Sequence, residues 1–325
     1  MYKNILIALD NSSDANAGVK LGVAIAKQTN AKLTGTHVYA ARLHDQRFSE
    51  MEFALPARYQ KPAELKRQRT THDTLITRGL KIIAESYSTV LEKEAKAAGI
   101  EVTSHHRDGK NYRELINETE EGRYDLLILG ARGLGAVERS TIGGVTERVV
   151  RRARIDTLIV RNDAPMSDRA VVGIDGSEAS FGALKSAIHI ARVFDFKITA
   201  VSVFDPDYHI KAFKSLAGIL SEDAQSRFNF AAQEALHEEI IDNGLKEIYS
   251  EHLESAKKVA TGLGVEIETK LLSGKPFEEI INYAEREGAA LLALGKTGFH
   301  ADKGLDIGSN TENCMRLAGC SVLVS

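Results

Sequence analysis

The stretch LLALGKTGFHADKGLDIGSNTENCMRLAGCSVLV, residues 291–324, decides how the chain is read. Short apolar runs bracket it, each with the continuous hydrophobic character of a strand buried on both faces of a parallel sheet. Between them Gly295, Gly298 and Gly308 stand in G-x2-G-x9-G spacing, followed by Ser309, Asn310 and Thr311. A chain leaving a strand at glycine can turn tightly and lay bare backbone N–H groups against a phosphate, because no Cβ blocks the approach. Ser309 and Glu312 form the S-x-x-E pattern of a helix start, whose free N–H groups and positive dipole end would face the turn. The segment reads as an anion site; the plainer alternative is a looped turn with Ser309 as a helix cap only.

The same pattern stands 165 residues earlier. GARGLGAVERSTIGGVTERV, residues 130–149, carries Gly130, Gly133, Gly143 and Thr146 at the matching places, with Gly144 where the later copy has Ser309. The offset also relates Asp10 to Asp175, Val38 to Val203, Leu80 to Leu245 and Gly99 to Gly264. A register kept along the whole chain means two copies of one domain. With 325 residues there is room for two domains of about 160, each able to hold a core.

Composition narrows the function classes. A net charge of -3 with 27% charged residues argues against a general nucleic-acid or anionic-membrane binder. The opening MYKNILIALD is too short for a signal h-region and no segment approaches a membrane span, so a cytoplasmic protein is expected. Cys314 and Cys320, the only two cysteines, are expected to be reduced and structural.

Each half alternates strands with helices. The first reads as strand 4–9, helix 12–29 capped by Ser13, strand 32–39, a polar irregular stretch 40–72 with an Arg-rich run at 61–69, and a long amphipathic helix to Gly99. Strand 101–105, helix 112–120, strand 126–129, the glycine turn, helix 146–152 and strand 157–160 follow. Residues 161–168 read as a linker, giving domains 1–162 and 168–325. The second half restarts with strand 171–175, helix 180–191 and strand 197–204, and after a long helical stretch adds strand 266–272 and helix 276–287. The fold class is α/β: two tandem, doubly wound, parallel five-stranded sheets of Rossmann-like type.

In such a sheet, ligands sit beyond the carboxyl ends of the strands where strand order reverses. If the first and fourth strands adjoin there, Asp175 and Gly295 share one crevice: a carboxylate for a ribose or an adenine amino group, and a bare turn for phosphates. Asp175-Gly176-Ser177 equally suits a turn followed by a helix cap.

A strand-ending Asp and then G-x2-G-x9-G before a last helix and strand, present twice, resemble the universal stress protein family in its tandem form. The resemblance covers nearly the whole chain and implies ATP, with or without Mg, as ligand. It places Asp175 at ribose or adenine, Val203 at adenine, and Gly295, Gly298, Gly308, Ser309, Asn310 and Thr311 around the phosphates. In the first domain Asp10, Val38, Gly130, Gly133, Gly143, Gly144 and Thr146 take these places more weakly. Gly144 departs from the family's Ser or Thr there, and loss of that hydroxyl should cost roughly 1.5–3 kcal/mol, about ten- to a hundredfold in affinity. Arg132 and Lys296 are candidate compensating cations. The resemblance further implies that strands TLIV and SVLV pair across a dimer, here an internal pseudo-dimer of the two domains, with a homodimer and an unidentified protein partner left open.

Enzymatic signatures are weaker. GKT at 295–297 lacks the Walker A glycine, since position 290 is Ala, and GARGLG is not G-x-G-x-x-G. No general base is placed, Asp302 and Asp306 are isolated, and His37 and His300 read as solvated or locally bonded. A slow ATPase and a nucleotide-free scaffold stand as alternatives to a nucleotide-dependent stress or signalling module. Phe213, Leu216, Ile219, Leu220, Phe228 and Phe230 suggest a segment packed over its own crevice or the other domain, or else a lid or docking surface.

Overall fold

The computed structural model describes residues 1–137, 139–206, 243–299, 301, 304 and 306–325. The apolar segment around Phe213 to Phe230, together with His300 and Asp302, lies outside these residues. The chain divides into two compact units, Met1–Ala164 and Pro165–Ser325.

The first unit runs β1 (Asn4–Ala8), α1 (Ser13–Thr29), β2 (Lys32–Tyr39), α2 (Ala41–Met51), α3 (Pro62–Ala98), β3 (Val102–Asp108), α4 (Asn111–Glu121), β4 (Leu126–Gly130), α5 (Gly144–Arg152) and β5 (Asp156–Val160). Its sheet is parallel in the order β3-β2-β1-β4-β5. The second runs β6 (Arg169–Gly173), α6 (Glu178–Phe194), β7 (Lys197–Phe204), α7 (Asn243–Gly262), β8 (Glu268–Ser273), α8 (Pro276–Arg286), β9 (Leu291–Leu294), α9 (Ser309–Leu317) and β10 (Ser321–Val324). Its order is β8-β7-β6-β9-β10, again parallel. Strand order therefore reverses between β1 and β4 and between β6 and β9.

Apolar runs make the central strands. Ile5, Leu6 and Ile7 pair in register with Leu126, Leu127 and Ile128, and all six are fully buried. Removing such side chains from water stabilises by about 1.5–3 kcal/mol each. Helix α1 can lie close over this floor because it carries small residues: a Cβ at Gly18 would meet Ile128, and one at Gly22 would overlap Ile7. In the second unit Leu184, Ala187 and Ile188 of α6 form the equivalent buried face.

Two local readings change. Ser12, not Ser13, caps α1: its side chain accepts from Ala15 N at 3.2 Å. Most of residues 40–72 is helical rather than irregular, because α2 folds back on the long α3; between the two helices, 52–61 holds only two short 3-10 turns. Phe48 stacks on His72 with centroids 4.5 Å apart, and Asp45 pairs with His72 at 3.2 Å. The arginines of 61–69 are drawn into local pairs, Arg67 with Glu64 and Arg69 with Glu52. Only the second half of α3 is anchored to the sheet, through buried Ala84, Ser88, Leu91 and Ala95. No helix among the described residues is long and apolar enough to cross a membrane.

The outer edge of the first unit is tied by charge. The Glu118 carboxylate, its side chain 3% exposed, accepts from Tyr124 Oη at 2.9 Å, from His105 Nδ1 at 2.8 Å and from Arg107. Burial pushes this carboxyl up, but those three donors outweigh it and hold it below the usual carboxylate range. Burial also pushes the Tyr124 hydroxyl up to about 12. Replacing Glu118 by Ala leaves the buried Tyr124 hydroxyl and the partly buried Arg107 without this acceptor, and Glu118→Ala should cost the first unit roughly 1–3 kcal/mol, measured as a lower urea midpoint.

Candidate functional site

At the reversal point of each unit lies an open cavity, of about 630 Å³ in the first and about 600 Å³ in the second. The second is built on Asp175 just beyond β6. Gly176 takes a left-handed φ of 83°, which turns the chain so that Asp175 Oδ1 accepts from Ser177 N at 3.0 Å and Ser177 Oγ at 2.6 Å. Ser177 then caps α6, accepting from Ser180 N at 3.1 Å. The turn-and-cap reading is thus correct, and the carboxylate does more. Its other oxygen, Oδ2, accepts from Phe299 N in the glycine loop at 2.9 Å. Strand-one tip and glycine loop are joined by that bond.

The glycines divide by what they make possible. A Cβ at Gly295 would lie 2.7 Å from the Ala179 carbonyl carbon and the Ser180 nitrogen, so this residue permits α6 to pass close by. One at Gly298 would lie 2.8 Å from Asp175 Oδ2, so this residue permits the carboxylate bond. Gly308 meets nothing closer than 3.6 Å and holds an ordinary extended φ of -70°. The fold does not demand it; its bareness opens the cavity floor.

Gly308, rather than Ser309, is the N-cap of α9, and no side chain caps that helix. Ser309 is instead the first helical residue, so the capping-box reading fails. The first N–H groups of α9 have no intrahelical acceptor. Ser309 and Asn310 are exposed there, lining the cavity with side chains that hydrogen-bond to no described residue. Thr311 differs: its hydroxyl, buried, donates to the Gly295 carbonyl at 2.7 Å and binds α9 to the strand tip. Val203 lines the apolar wall with Ile174, Val201 and Ile280.

The first cavity repeats this plan. Asp10 accepts from Ser12 N at 3.0 Å and from Leu134 N at 3.3 Å, and Asn11 takes the left-handed place of Gly176 with φ 59°. A Cβ at Gly133 would press on Asp10 at 2.5 Å. Thr146 donates to the Gly130 carbonyl at 2.8 Å, Gly143 caps α5 by backbone alone, and Val38 and Gly144 line the cavity. Arg132 is not available as a compensating cation, because Asp14 and Asp163 bind its guanidinium at 3.1 and 3.0 Å.

Sequence reading missed the upper wall. Leu80, Ile83 and Tyr87 of α3 reach the first cavity, and Leu245, Ile248 and His252 of α7 stand at the positions 165 residues on. The repeat offset was a usable signal, since Leu80 and Leu245 already matched. Arg148 of α5 also lines the first cavity, with Asn313 at the corresponding place in α9. His37, a β2 residue, sits at the cavity base with Nδ1 donating to the Leu9 carbonyl at 2.5 Å and its ring edge-on to Tyr87 at 4.9 Å. Ser202, its counterpart, donates to the Ile174 carbonyl at 2.6 Å. No group of three or more His, Cys, Asp or Glu able to hold a metal is found among the described residues.

Three comparisons bear on identity. The universal stress protein family profile matches residues 1–161 and again 166–325. A universal stress protein of Methanocaldococcus jannaschii is 33% identical over 166 residues, 51% of this chain and 86% of that protein. One of Bacillus subtilis strain 168 is 30% identical over 159 residues, 49% of this chain and 99% of its own. The crystal structure of a universal stress protein from Archaeoglobus fulgidus shares the fold over 99% of this chain and 97% of that one, at TM-score 0.59 and 16% identity.

Two outcomes follow. Gly295→Ala should destabilise the second unit by about 1–3 kcal/mol through its backbone clash, whereas Gly308→Ala, which meets no clash and only puts a poorer residue at the N-cap, should cost no more than about 1 kcal/mol; chemical denaturation reads both. Burial holds the His37 pKa below its ordinary 6.5, against the opposing pull of the Leu9 carbonyl and Asp10. The unfolded chain therefore takes up this proton first, so the stability His37 contributes is complete above about pH 6.5 and is lost as pH falls through its depressed value. His37→Ser, which copies Ser202, should flatten that loss when denaturation midpoints at pH 7.5 and 5.5 are compared.

Proposed function

Because the chain belongs to the universal stress protein family, we propose that it is an adenine-nucleotide-binding member whose principal ATP site is the cavity of the second unit. One observation carries this reading: the Asp175 carboxylate and the glycine loop are hydrogen-bonded together at the rim of a roomy cavity whose floor is an uncapped helix N-terminus. Bare N–H groups and the positive end of α9 suit phosphate oxygens. The Ser309 hydroxyl and Asn310 amide add donors there. Ile174, Val201, Val203 and Ile280 offer an apolar slot of the kind that takes a base.

Asp175 already accepts three hydrogen bonds, from Ser177 and Phe299, and serves as a positioned acceptor for a ribose hydroxyl rather than as a free base. That favours binding over hydrolysis. Occupancy is then read out through α7, which places Leu245, Ile248, Tyr249 and His252 on the cavity wall. The same proposal includes a cytoplasmic signalling role in which ATP occupancy changes how a protein partner is met.

Titrating the full chain with ATP by calorimetry tests the assignment. Ser309→Ala should weaken the tighter site about ten- to a hundredfold, and mass spectrometry of nucleotide released from fresh protein should return ATP. No heat at millimolar ATP and no released nucleotide would overturn it.

A further inference from the structure

The two cavities differ most at the end where α4 and α5 of the first unit meet. There a single half-buried tyrosine, Tyr112, is surrounded by four cations: Lys110 Nζ lies 5.3 Å from the ring centroid, and the guanidinium carbons of Arg148, Arg152 and Arg113 lie at 5.4, 5.7 and 5.9 Å. All four lie within about 6 Å of one ring centroid, so positive charge is concentrated at this end of the unit. Arg113 also donates to the Tyr112 hydroxyl at 3.2 Å and Arg152 to the Arg148 carbonyl at 3.2 Å. Among the described residues none of the four is matched by a carboxylate. The acids on the same helices turn elsewhere, Glu114 to Arg107 at 3.7 Å and Glu147 to Arg151 at 3.5 Å. A tyrosine ring has two faces and attracts cations weakly at an exposed site. It does not neutralise four.

This cluster is continuous with the first cavity, because Arg148 and Asn111 line the cavity beside Gly144, Val145 and Thr146 at the start of α5. The second unit has no such cluster at the corresponding places, where Lys275, Phe277, Glu278, Asn313 and Leu317 stand. The lone remaining cation, Lys275, is over Phe277 at 4.5 Å and paired with Glu278 at 2.8 Å. Where the first unit lacks the hydroxyl of Ser309, it has a guanidinium one turn further along the helix.

We propose that the first cavity is a distinct site for an oligophosphate chain, its inner phosphates on the α5 terminus and its outer ones among Arg148, Arg152, Arg113 and Lys110. The proposal rests on reading both cavities as nucleotide-type sites and adds a division of labour: ATP in the second unit, a more highly charged phosphate ligand in the first. The shared chemistry is a run of three or more phosphates, either free or carried by a nucleoside.

The experiment titrates the full chain with inorganic tripolyphosphate, ATP and adenosine tetraphosphate at 50 and 200 mM salt. It compares the parent with Arg148→Gln/Arg152→Gln, with Arg148→Lys/Arg152→Lys, and with Ser309→Ala. The parent should bind adenosine tetraphosphate or tripolyphosphate at a site that the Gln pair weakens by at least about tenfold and the Lys pair largely preserves. That site should weaken steeply with salt, while the ATP site sensitive to Ser309→Ala is unmoved by either pair. Binding of tripolyphosphate assigns the free chain as ligand, and binding of adenosine tetraphosphate alone assigns a nucleotide tail. Equal affinities in parent and Gln pair, with ATP still bound at the Ser309 site, overturn this inference and leave the nucleotide reading standing. Absence of any phosphate ligand from the parent overturns both.

Discussion

One hydrogen bond, from the Phe299 amide to the Asp175 carboxylate, holds the cavity end of the second unit in shape, and the Leu134 amide on Asp10 repeats it in the first. It spans 124 residues of chain and joins the segments that follow two neighbouring strands, β6 and β9 or β1 and β4. The bond also explains the middle glycine of the motif. Gly298 and Gly133 sit against those carboxylates so tightly that a methyl group would displace them. The carboxylate therefore belongs to the scaffold of the crevice as much as to its chemistry.

Two copies of one plan allow the chain to annotate itself. Where residues differ but the bond persists, the bond is what the fold requires: His37 and Ser202 both tie β2 or β7 to the carbonyl ending the neighbouring strand. Asn11 and Gly176 both supply the left-handed step after the aspartate. Gly176 is packed beneath His252, where a Cβ would collide with the imidazole, whereas Asn11 lies in the unit that has Tyr87 at that place. Where residues differ and no common contact survives, as at Arg148 and Asn313, the fold leaves the position free to vary.

Most of the fold was legible because it is written in contiguous signals. Unbroken apolar runs such as ILIA and LLIL marked the buried strands, and residues 32–39 and 197–204 match β2 and β7 to the residue. The candidate site residues were legible as a set, since glycine spacing and strand-ending Asp needed only strand adjacency to bring them together, and all of them line the two cavities. Other features depend on distant partners. The helical nature of 40–72 rests on α2 docking against α3 through Phe48 and His72, a contact that no local periodicity announces. The engagement of Arg132 depends on Asp14 and Asp163, which are 118 and 31 residues away. Ser309 looked like a cap by spacing, yet the helix begins one residue earlier, because Gly308 N is drawn onto the Lys296 carbonyl at 2.8 Å.

The length of α3 has a thermal consequence. Its 37 residues extend about 55 Å, but only the carboxyl half rests on the sheet, and Leu75 remains 69% exposed. The amino half is a hairpin with α2, secured by side chains largely at its own surface. Warming should unwind this outgrowth from Pro62 inward well before the sheet melts, giving the first unit two calorimetric steps where the cavity survives the earlier one.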